Sequence, residues 1–225
     1  GEAVSPAEIV EAALRHRCAS ISYTYTEPTI FFELAYDTAT LARKAGLKNV
    51  FVTNGYITPE ALREISPVLD AANIDLKGFT DDFYKNICGA RLQPVLDSIR
   101  LYRELGIWIE ITTLVIPGHN DSENELRQIA QFVRSVGEGV PWHVSRFHPT
   151  YKLIDQPRTP LETLKRARQI GIDEGLRYVY EGNIPGEGEE TICWSCGKTL
   201  IKRYGFSVEE NHVKDGKCGH CGATI

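Results

Sequence analysis

Two hydrophobic patterns alternate along the chain. Short runs rich in isoleucine, valine, threonine and tyrosine are typical of β-strands, and longer segments with apolar residues three or four positions apart are typical of helices. The predicted strands are 20–25, 49–53, 72–78, 107–116, 142–147 and 176–180. The predicted helices begin near residues 6, 28, 59, 94, 123 and 160. Strand and helix therefore alternate about six times, which predicts a parallel sheet with helices outside it.

Two of these helices begin with a capping box. Ser5 and Glu8 form the first, with proline at the first helical position, and Ser122 and Glu125 form the second. In such a box the serine hydroxyl accepts a backbone N–H of the first turn, and the glutamate reaches back to the serine N–H.

The stretch 20–32, SISYTYTEPTIFF, is interpreted as a strand, a turn and the start of a helix that runs to about residue 45. Pro28 lacks the N–H that a central strand needs, so the strand is expected to break at Thr26-Glu27-Pro28. This places the Glu27 carboxylate at the carboxyl end of a strand, where parallel α/β folds hold ligands. On this stretch alone, Glu27 could equally cap the next helix.

Polar side chains end nearly every predicted strand, and their convergence at one rim favours a barrel over a doubly wound sheet. The fingerprint Gly-x-Gly-x-x-Gly does not follow the first strand, which counts against a dinucleotide site. Any one of these polar residues could instead be a surface cap. The residues in question are Glu27, Asn54, Asp75 with Lys77, Asn120 with Asp121, and Arg146 with His148.

Composition narrows the classes of function. The 225 residues suffice for one sizeable core and a small appendage, and a net charge of -5 argues against a nucleic-acid-binding surface. No apolar run is long enough for a membrane span and no signal peptide is evident, so the cytoplasm is the expected location. The sequence contains no methionine, even at position 1, and we expect it to be a fragment or processed product.

Four cysteines near the C-terminus carry the strongest chemical signal. Cys193 and Cys196 form one Cys-x-x-Cys pair, Cys218 and Cys221 form another, and 199–206 and 208–213 between them can supply a β-hairpin. Four thiolates complete a tetrahedral site, so the spacing predicts a structural zinc ribbon over 186–225 after a barrel over 1–185. Iron in the same cage, two redox disulfides and unrelated thiols remain alternatives.

The other cysteines and histidines belong to no motif. Cys18, just before a strand, is expected to be a small buried side chain, and Cys88 is expected on a loop after a strand end, with a structural role favoured. His220 lies inside the second knuckle and is expected at the surface rather than on the metal. His16, His119 and His212 are also expected on the surface or in loops.

Several stretches in order resemble one family. SISYTYTEPTIFFE, NVFVTNGYITPEAL, AANIDLKGF, WIEITTLVIPGHND and PWHVSRFHP, followed by CWSC and CGHC, closely resemble the radical SAM enzyme of the AmmeMemoRadiSam system, which is similar to pyruvate formate-lyase activating enzymes. The resemblance runs from Ser5 to the C-terminus. It implies a partial (β/α)6 TIM-type barrel whose strand ends bind S-adenosylmethionine and a [4Fe-4S] cluster and generate a 5′-deoxyadenosyl radical. It also suggests a protein substrate or a companion protein of that system as partner.

The same resemblance suggests roles for residues after the first three strands. Tyr25, Thr26 and Glu27 stand where the family's Gly-Gly-Glu-Pro stretch meets the methionine amino group, although the two glycines differ here. Asn54 matches a position near the ribose and carboxylate of the cofactor, and Asp75 matches a group that balances charge near that carboxylate.

Four further residues follow from the resemblance. Lys77 is grouped with Asp75 near the methionine carboxylate, and Val115 and Ile116 resemble the segment along the adenine. His148 matches a strand-end position close to the nucleoside. Lys77 and His148 are the residues to which we assign a catalytic part.

One motif of the family is absent from this chain. The three cluster ligands in Cys-x-x-x-Cys-x-x-Cys lie upstream of the first helix in the family, and no such triplet occurs here. Because thiolates hold such clusters, we expect this chain not to form the radical cluster and the parent protein to do so.

Two other classes of function stay open. An ordinary TIM-barrel enzyme could use Glu27, Asp75, Lys77 and His148 for acid–base work, with Lys77 able to form a Schiff base. Alternatively, the ribbon could bind a partner while the barrel serves as a non-catalytic scaffold.

Overall fold

A computed structural model describes residues 4–184, 186, 188–205 and 207–225. Phe206, at the end of a predicted hairpin strand, and residue 185, at the predicted domain boundary, lie outside these ranges. Within the described part of the chain, no helix is long and apolar enough to cross a membrane.

Six strands form one parallel sheet in the order β1-β2-β3-β4-β5-β6. The sequential order confirms the predicted α/β fold, because a parallel strand must be reached through a crossover segment. The strands are β1 Ser20–Tyr23, β2 Lys48–Thr53, β3 Ala71–Asp75, β4 Trp108–Val115, β5 Trp142–Arg146 and β6 Val179–Gly182.

One helix precedes β1, and the others lie in the connections between these strands. Their bounds are α1 Pro6–Arg15, α2 Phe32–Lys44, α3 Pro59–Ile65, α4 Asp81–Phe83, α5 Leu92–Glu104, α6 Glu123–Val136 and α7 Leu161–Asp173. A π-helical turn, Tyr84–Cys88, follows α4, and a 3₁₀ turn covers Tyr151–Leu153.

The C-terminal segment forms two small antiparallel sheets. The first has the order β7-β8-β9, and the second pairs β10 with β11. Their bounds are β7 Thr191–Ile192, β8 Thr199–Tyr204, β9 Ser207–Asn211, β10 Val213–Lys214 and β11 Lys217–Cys218. We refer to residues 191–225 as the ribbon. Its buried core consists of Cys193, Leu200 and Cys218.

The residue contacts divide the chain into two compact units. Unit 1 comprises Gly1–Leu76 and Ala90–Glu110, and unit 2 comprises Lys77–Gly89 and Ile111–Ile225. The core of unit 1 includes the fully buried Phe51, Leu62, Ile65, Ile74, Ile99 and Tyr102. The core of unit 2 includes the fully buried Ile111, Leu126, Ile129, Val133, Trp142 and Val144.

Several element boundaries differ from the sequence prediction. Helix α2 begins at Phe32 rather than near residue 28, because residues 28–31 form a turn in which the Ile30 N–H donates to the carbonyl of Glu27. The last barrel strand begins at Val179 rather than 176. Cys88 ends the π-helical turn rather than lying on a loop, and Cys18 is exposed rather than buried.

The capping boxes have different outcomes. At Ser5 both hydrogen bonds of the box are present, as predicted. At Ser122 the hydroxyl accepts the N–H of Glu125, but the Glu125 carboxylate turns away from the serine and accepts the N–H of Phe79 instead. Helix α7 has Pro160 as its N-cap. The hydroxyl of the preceding Thr159 accepts the N–H of Phe147 and donates to the carbonyl of Val115.

A glycine inside α7 allows this helix to approach the sheet closely. A β-carbon added at Gly171 would lie 2.9 Å from Val179 Cγ2 and 3.0 Å from Trp142 Cε3. Both neighbours are buried side chains of the sheet, so neither can move easily. The glycine is therefore required by packing.

We expect Gly171→Ala to lower the free energy of unfolding by up to about 2 kcal/mol. Overpacking costs about 1–3 kcal/mol, and the gain in helix propensity of about 1 kcal/mol offsets only part of it, because both buried neighbours resist displacement. Urea unfolding followed by circular dichroism measures the difference. Gly139→Ala is the matched control, since a β-carbon there would meet nothing within 4 Å. An alanine at 171 that stabilises the protein would contradict the packing argument.

Candidate functional site

The loop after β1 places the Glu27 carboxylate in unit 1. This residue is only 6% exposed. The Thr53 hydroxyl donates to Oε1 at 2.6 Å, and the Asn54 N–H donates to Oε2 at 2.8 Å. The N-cap of α2 is Phe31, so Glu27 does not cap that helix. Its carboxylate instead joins the loop after β1 to the end of β2.

Asn54 lies on a tight loop that continues from β2. Its Oδ1 accepts the N–H of Tyr56 at 2.8 Å, and the Ser98 hydroxyl holds the carbonyl of Gly55 at 2.6 Å. A β-carbon at Gly55, where φ is +73°, would lie 2.8 Å from Ile74 Cγ2. Glycine is needed here because the backbone is left-handed and passes close to the core. The Asn54 side chain is consequently held in a defined position.

Glu27 and Asn54 together offer an acceptor and a donor. Oε1 of Glu27 has both the N–H and the hydroxyl of Thr29 and the Thr53 hydroxyl within 3.4 Å, whereas Oε2 accepts from Asn54 and keeps a second lone-pair position. The Nδ2 group of Asn54 is a hydrogen-bond donor on the adjoining loop. An ammonium needs an acceptor of this kind and a carboxylate needs a donor, so the two side chains suit the amino-acid portion of a ligand.

Asp75 and Lys77 follow from β3, but they belong to different compact units. Asp75 is the last residue of β3 and is half-buried in unit 1. Lys77 lies in unit 2, where its N–H donates to the Tyr84 hydroxyl and its carbonyl accepts from Asn120. These backbone contacts fix the position from which the Lys77 side chain extends.

Asn120 was expected at the polar rim, but it is completely buried. Its Oδ1 accepts the Ile116 N–H at 2.6 Å, and its Nδ2 donates to the carbonyls of Lys77 and Leu114. All of these groups are backbone atoms. Asn120 is therefore a structural clamp on the end of β4.

The end of β4 and the end of β5 are joined by Thr159. Its hydroxyl donates to the carbonyl of Val115 at 2.6 Å and accepts the N–H of Phe147 at 2.8 Å. The side chains of Val115 and Ile116 are buried, so the predicted adenine-contact residues take part in the core of unit 2. His148, two residues beyond β5, is exposed.

The role of Glu125, a residue of unit 2, was not evident from the sequence. It is 6% exposed, and its Oε1 accepts the N–H of Phe79 at 2.7 Å. Burial raises the pKa of this carboxyl group, the Asp121 carboxylate raises it further, and the Phe79 N–H lowers it in part. The sequence pattern does indicate this burial. Ile129 and Phe132, at the i+4 and i+7 positions, place Glu125 on the buried face of α6.

We expect Glu125→Gln to be at least as stable as the wild type at pH 7. The folded state holds the Glu125 proton more tightly than the unfolded chain does, so its ionisation costs stability as pH rises through the unfolded-state pKa and towards the folded-state value. Glutamine keeps an acceptor for Phe79 without the charge. The urea midpoint of the variant should therefore rise relative to that of the wild type as the pH is raised from 4 to 7.

The control is Glu123→Gln, which removes an exposed carboxylate from the same helical turn. Its stability difference from the wild type should change little over this pH range. A Glu125→Gln difference that is constant, or that shrinks as pH rises, would contradict the role assigned to Glu125.

The four ribbon cysteines form the candidate metal centre. Their sulfur atoms all lie within 4.8 Å of one another, with 3.7 Å between Cys193 and Cys221 and 3.8 Å between Cys196 and Cys218. A tetrahedral zinc with sulfur ligands at about 2.3 Å places its ligands about 3.8 Å apart. The cage therefore fits a zinc-sized ion with four thiolate ligands.

Two matching turns build this cage. Gly197 N–H donates to the carbonyl of Cys193, and Gly222 N–H donates to that of Cys218. Both glycines have positive φ, +70° and +78°, which their position after a tight turn requires. His220 is exposed and donates its backbone N–H to the Cys218 sulfur, so it contacts the centre through its main chain.

We expect the protein to bind about one metal ion through these four thiolates. Cys218→Ser should reduce the metal content close to zero, because it removes one corner of the tetrahedron. Cys18→Ser, at an exposed cysteine outside the cage, is the control and should leave the content unchanged. Elemental analysis after gel filtration measures both, and equal metal content in the two variants would contradict the assignment.

Comparison with known proteins identifies a family that this chain matches. A model described as the Radical SAM superfamily matches residues 1–133. The chain is 51% identical to the uncharacterized protein MJ0808 of Methanocaldococcus jannaschii over 226 residues, which is 99% of this chain and 67% of that protein. It is 24% identical to pyruvate formate-lyase 1-activating enzyme of Escherichia coli (strain K12) over 151 residues, covering 61% of each.

A solved structure shows the same fold. A domain of pyruvate-formate lyase-activating enzyme from Bacteroides vulgatus superimposes with a TM-score of 0.65 at 20% identity, over 73% of this chain and 99% of that domain. The six-stranded parallel sheet thus matches the partial barrel predicted from sequence. The chain spans 67% and 61% of the lengths of the two curated relatives.

Proposed function

Because the chain belongs to the radical SAM superfamily, we propose that the whole protein binds S-adenosylmethionine and a [4Fe-4S] cluster and acts as a radical enzyme of the activating-enzyme type. When bound, these groups would supply hydrogen-atom abstraction by a 5′-deoxyadenosyl radical. The match over residues 1–133 supports the class of chemistry, and the geometry at Glu27 supports the place where the cofactor binds.

The observation that carries the proposal is the fixed Glu27 carboxylate. Two donors from the end of β2, the Thr53 hydroxyl and the Asn54 N–H, hold it in place, so its orientation does not depend on a ligand. In the proposed complex Oε2 accepts the ammonium of the methionine portion. Asn54 Nδ2 donates to the carboxylate or the ribose, while Tyr25 and Thr26 contact the same portion through the loop.

The remaining predicted contacts are part of the same proposal. Asp75 and Lys77 would balance charge near the methionine carboxylate, and Lys77 and His148 would take a catalytic part. The main chain at Val115 and Ile116 would lie along the adenine, since their side chains are buried. The proposed location is the cytoplasm.

Finer assignments rest on the resemblance of the ordered sequence motifs. We assign the protein to the AmmeMemoRadiSam system, with a protein substrate or companion protein as partner. The cluster ligands are assigned to a part of the protein outside this sequence, and the metal of the ribbon to zinc. Iron stays the alternative, since it accepts the same four thiolates.

We expect the chain to bind S-adenosylmethionine in isothermal titration calorimetry, and Glu27→Gln to bind it about 10- to 100-fold more weakly. A hydrogen bond to a charged group contributes about 1.5–3 kcal/mol, which corresponds to a loss of this size. Glu33→Gln, an exposed carboxylate in the first turn of α2, is the control. Equal affinities of the two variants, or no binding by the wild type, would overturn the proposed site.

The radical chemistry needs a separate measurement. A form of the protein extended to the length of its relatives, reconstituted with iron and sulfide without oxygen, is expected to release 5′-deoxyadenosine from S-adenosylmethionine under reduction. The 225-residue chain treated identically is expected to release none. Deoxyadenosine production by the chain itself would contradict the assignment of the cluster ligands to another segment.

A further inference from the structure

The strands of unit 2 carry a row of polar side chains on one face. Thr112, His143 and Tyr180 are register partners on β4, β5 and β6. The neighbouring residues Trp142 and Val179 point the other way, towards Gly171 of α7. The row therefore lies on the face of the sheet opposite α7, which we call the open face.

His143 and Tyr180 contact each other through their rings. The ring centroids are 5.1 Å apart and the planes are inclined by only 23°, a stacked arrangement. Both side chains are partly accessible. Because the two rings stack, the position of the tyrosine ring restricts the orientations that the imidazole can adopt.

The Tyr180 hydroxyl reaches into the ribbon. It lies 3.0 Å from Oγ1 of Thr191, which is 4% exposed. The Arg203 guanidinium donates to the same Oγ1 at 2.8 Å and to the carbonyl of Glu189 at 3.2 Å. The threonine hydroxyl is thereby held from two sides, by a barrel strand and by strand β8 of the ribbon.

Thr191 is connected to the metal centre by only one intervening residue. It begins β7, and Cys193 follows directly after that strand. The Cys193 N–H donates to the carbonyl of Lys198 at 2.8 Å, which closes the first knuckle. In a domain with so small a buried core, metal binding supplies much of the folding energy, so the ion determines how firmly β7 is held.

We propose that the four-cysteine centre positions His143 on the open face of the sheet, through Thr191 and the positioning residue Tyr180. Binding of the metal in the ribbon then sets the orientation of a titratable group some distance away. A histidine held in this manner is suited to bind or protonate a substrate. The coupling does not require the cofactor proposed above, so it can fail or hold independently of that function.

A second contact between the ribbon and the segment before β6 does not involve Tyr180. The Arg177 guanidinium lies 4.1 Å from the ring centroid of Trp194, whose indole N–H donates within the ribbon to the carbonyl of Thr224 at 2.9 Å. Removal of the Tyr180 hydroxyl therefore cuts the proposed link and leaves the Arg177–Trp194 contact in place.

The first test follows the ring signals of His143 by NMR in the zinc-loaded and the chelator-treated full chain, with His143→Gln to assign them. In the wild type, removal of zinc is expected to shift these signals. Tyr180→Phe keeps the stacked ring but loses the hydroxyl, and should reduce the shift at least by half. Tyr151→Phe, at a tyrosine that is 82% exposed, is the control and should behave as the wild type.

The second test uses reciprocity, since a group positioned by the metal must in turn support metal binding. Thr191→Val should bind zinc about fivefold more weakly in an equilibrium competition with a chelator, the equivalent of one hydrogen bond of about 1 kcal/mol. Thr150→Val, at an exposed threonine, should leave the affinity unchanged. The proposal is overturned if the His143 signals do not change on zinc removal, if Tyr180→Phe shows the full shift, or if the two threonine variants bind zinc equally well.

Discussion

Buried backbone groups at the carboxyl ends of the strands need hydrogen-bond partners, and side chains from other segments supply them. The Glu27 carboxylate accepts the Asn54 N–H, Asn120 accepts that of Ile116, and Thr159 donates to the carbonyl of Val115. A buried group left without a partner costs about 1–3 kcal/mol. These side chains therefore determine how the chain leaves each strand, and all later geometry of the loops depends on them.

This constraint divides the polar residues of the strand ends into two groups. Asn120 and Thr159 are completely buried and bond only to groups of the protein itself, so their role is structural. Glu27 and Asn54 also hold the loops, but each keeps hydrogen-bonding capacity beyond its internal partners. The proposed ligand would accordingly meet two residues that the fold has already oriented, which would lower the entropic cost of binding.

The described part of the ribbon has a small buried core, formed by Cys193, Leu200 and Cys218. Its four cysteine sulfur atoms lie within 4.8 Å of one another, an arrangement in which a shared metal ion would supply the folding energy that so small a core lacks. Two of its contacts are specific: the Thr191 hydroxyl meets that of Tyr180 on β6, and the Trp194 ring meets the guanidinium of Arg177, just before β6.

The sequence by itself determined the α/β alternation and the four-cysteine cage, because both depend on spacing along a short stretch of chain. It also placed Glu27 and Asn54 after their strands. Only the tertiary structure decided that Cys18 is exposed and that Glu125 leaves its capping box for the N–H of Phe79. The Glu125 outcome depends on which distant segment offers the better partner for a buried group, and no local pattern records that competition.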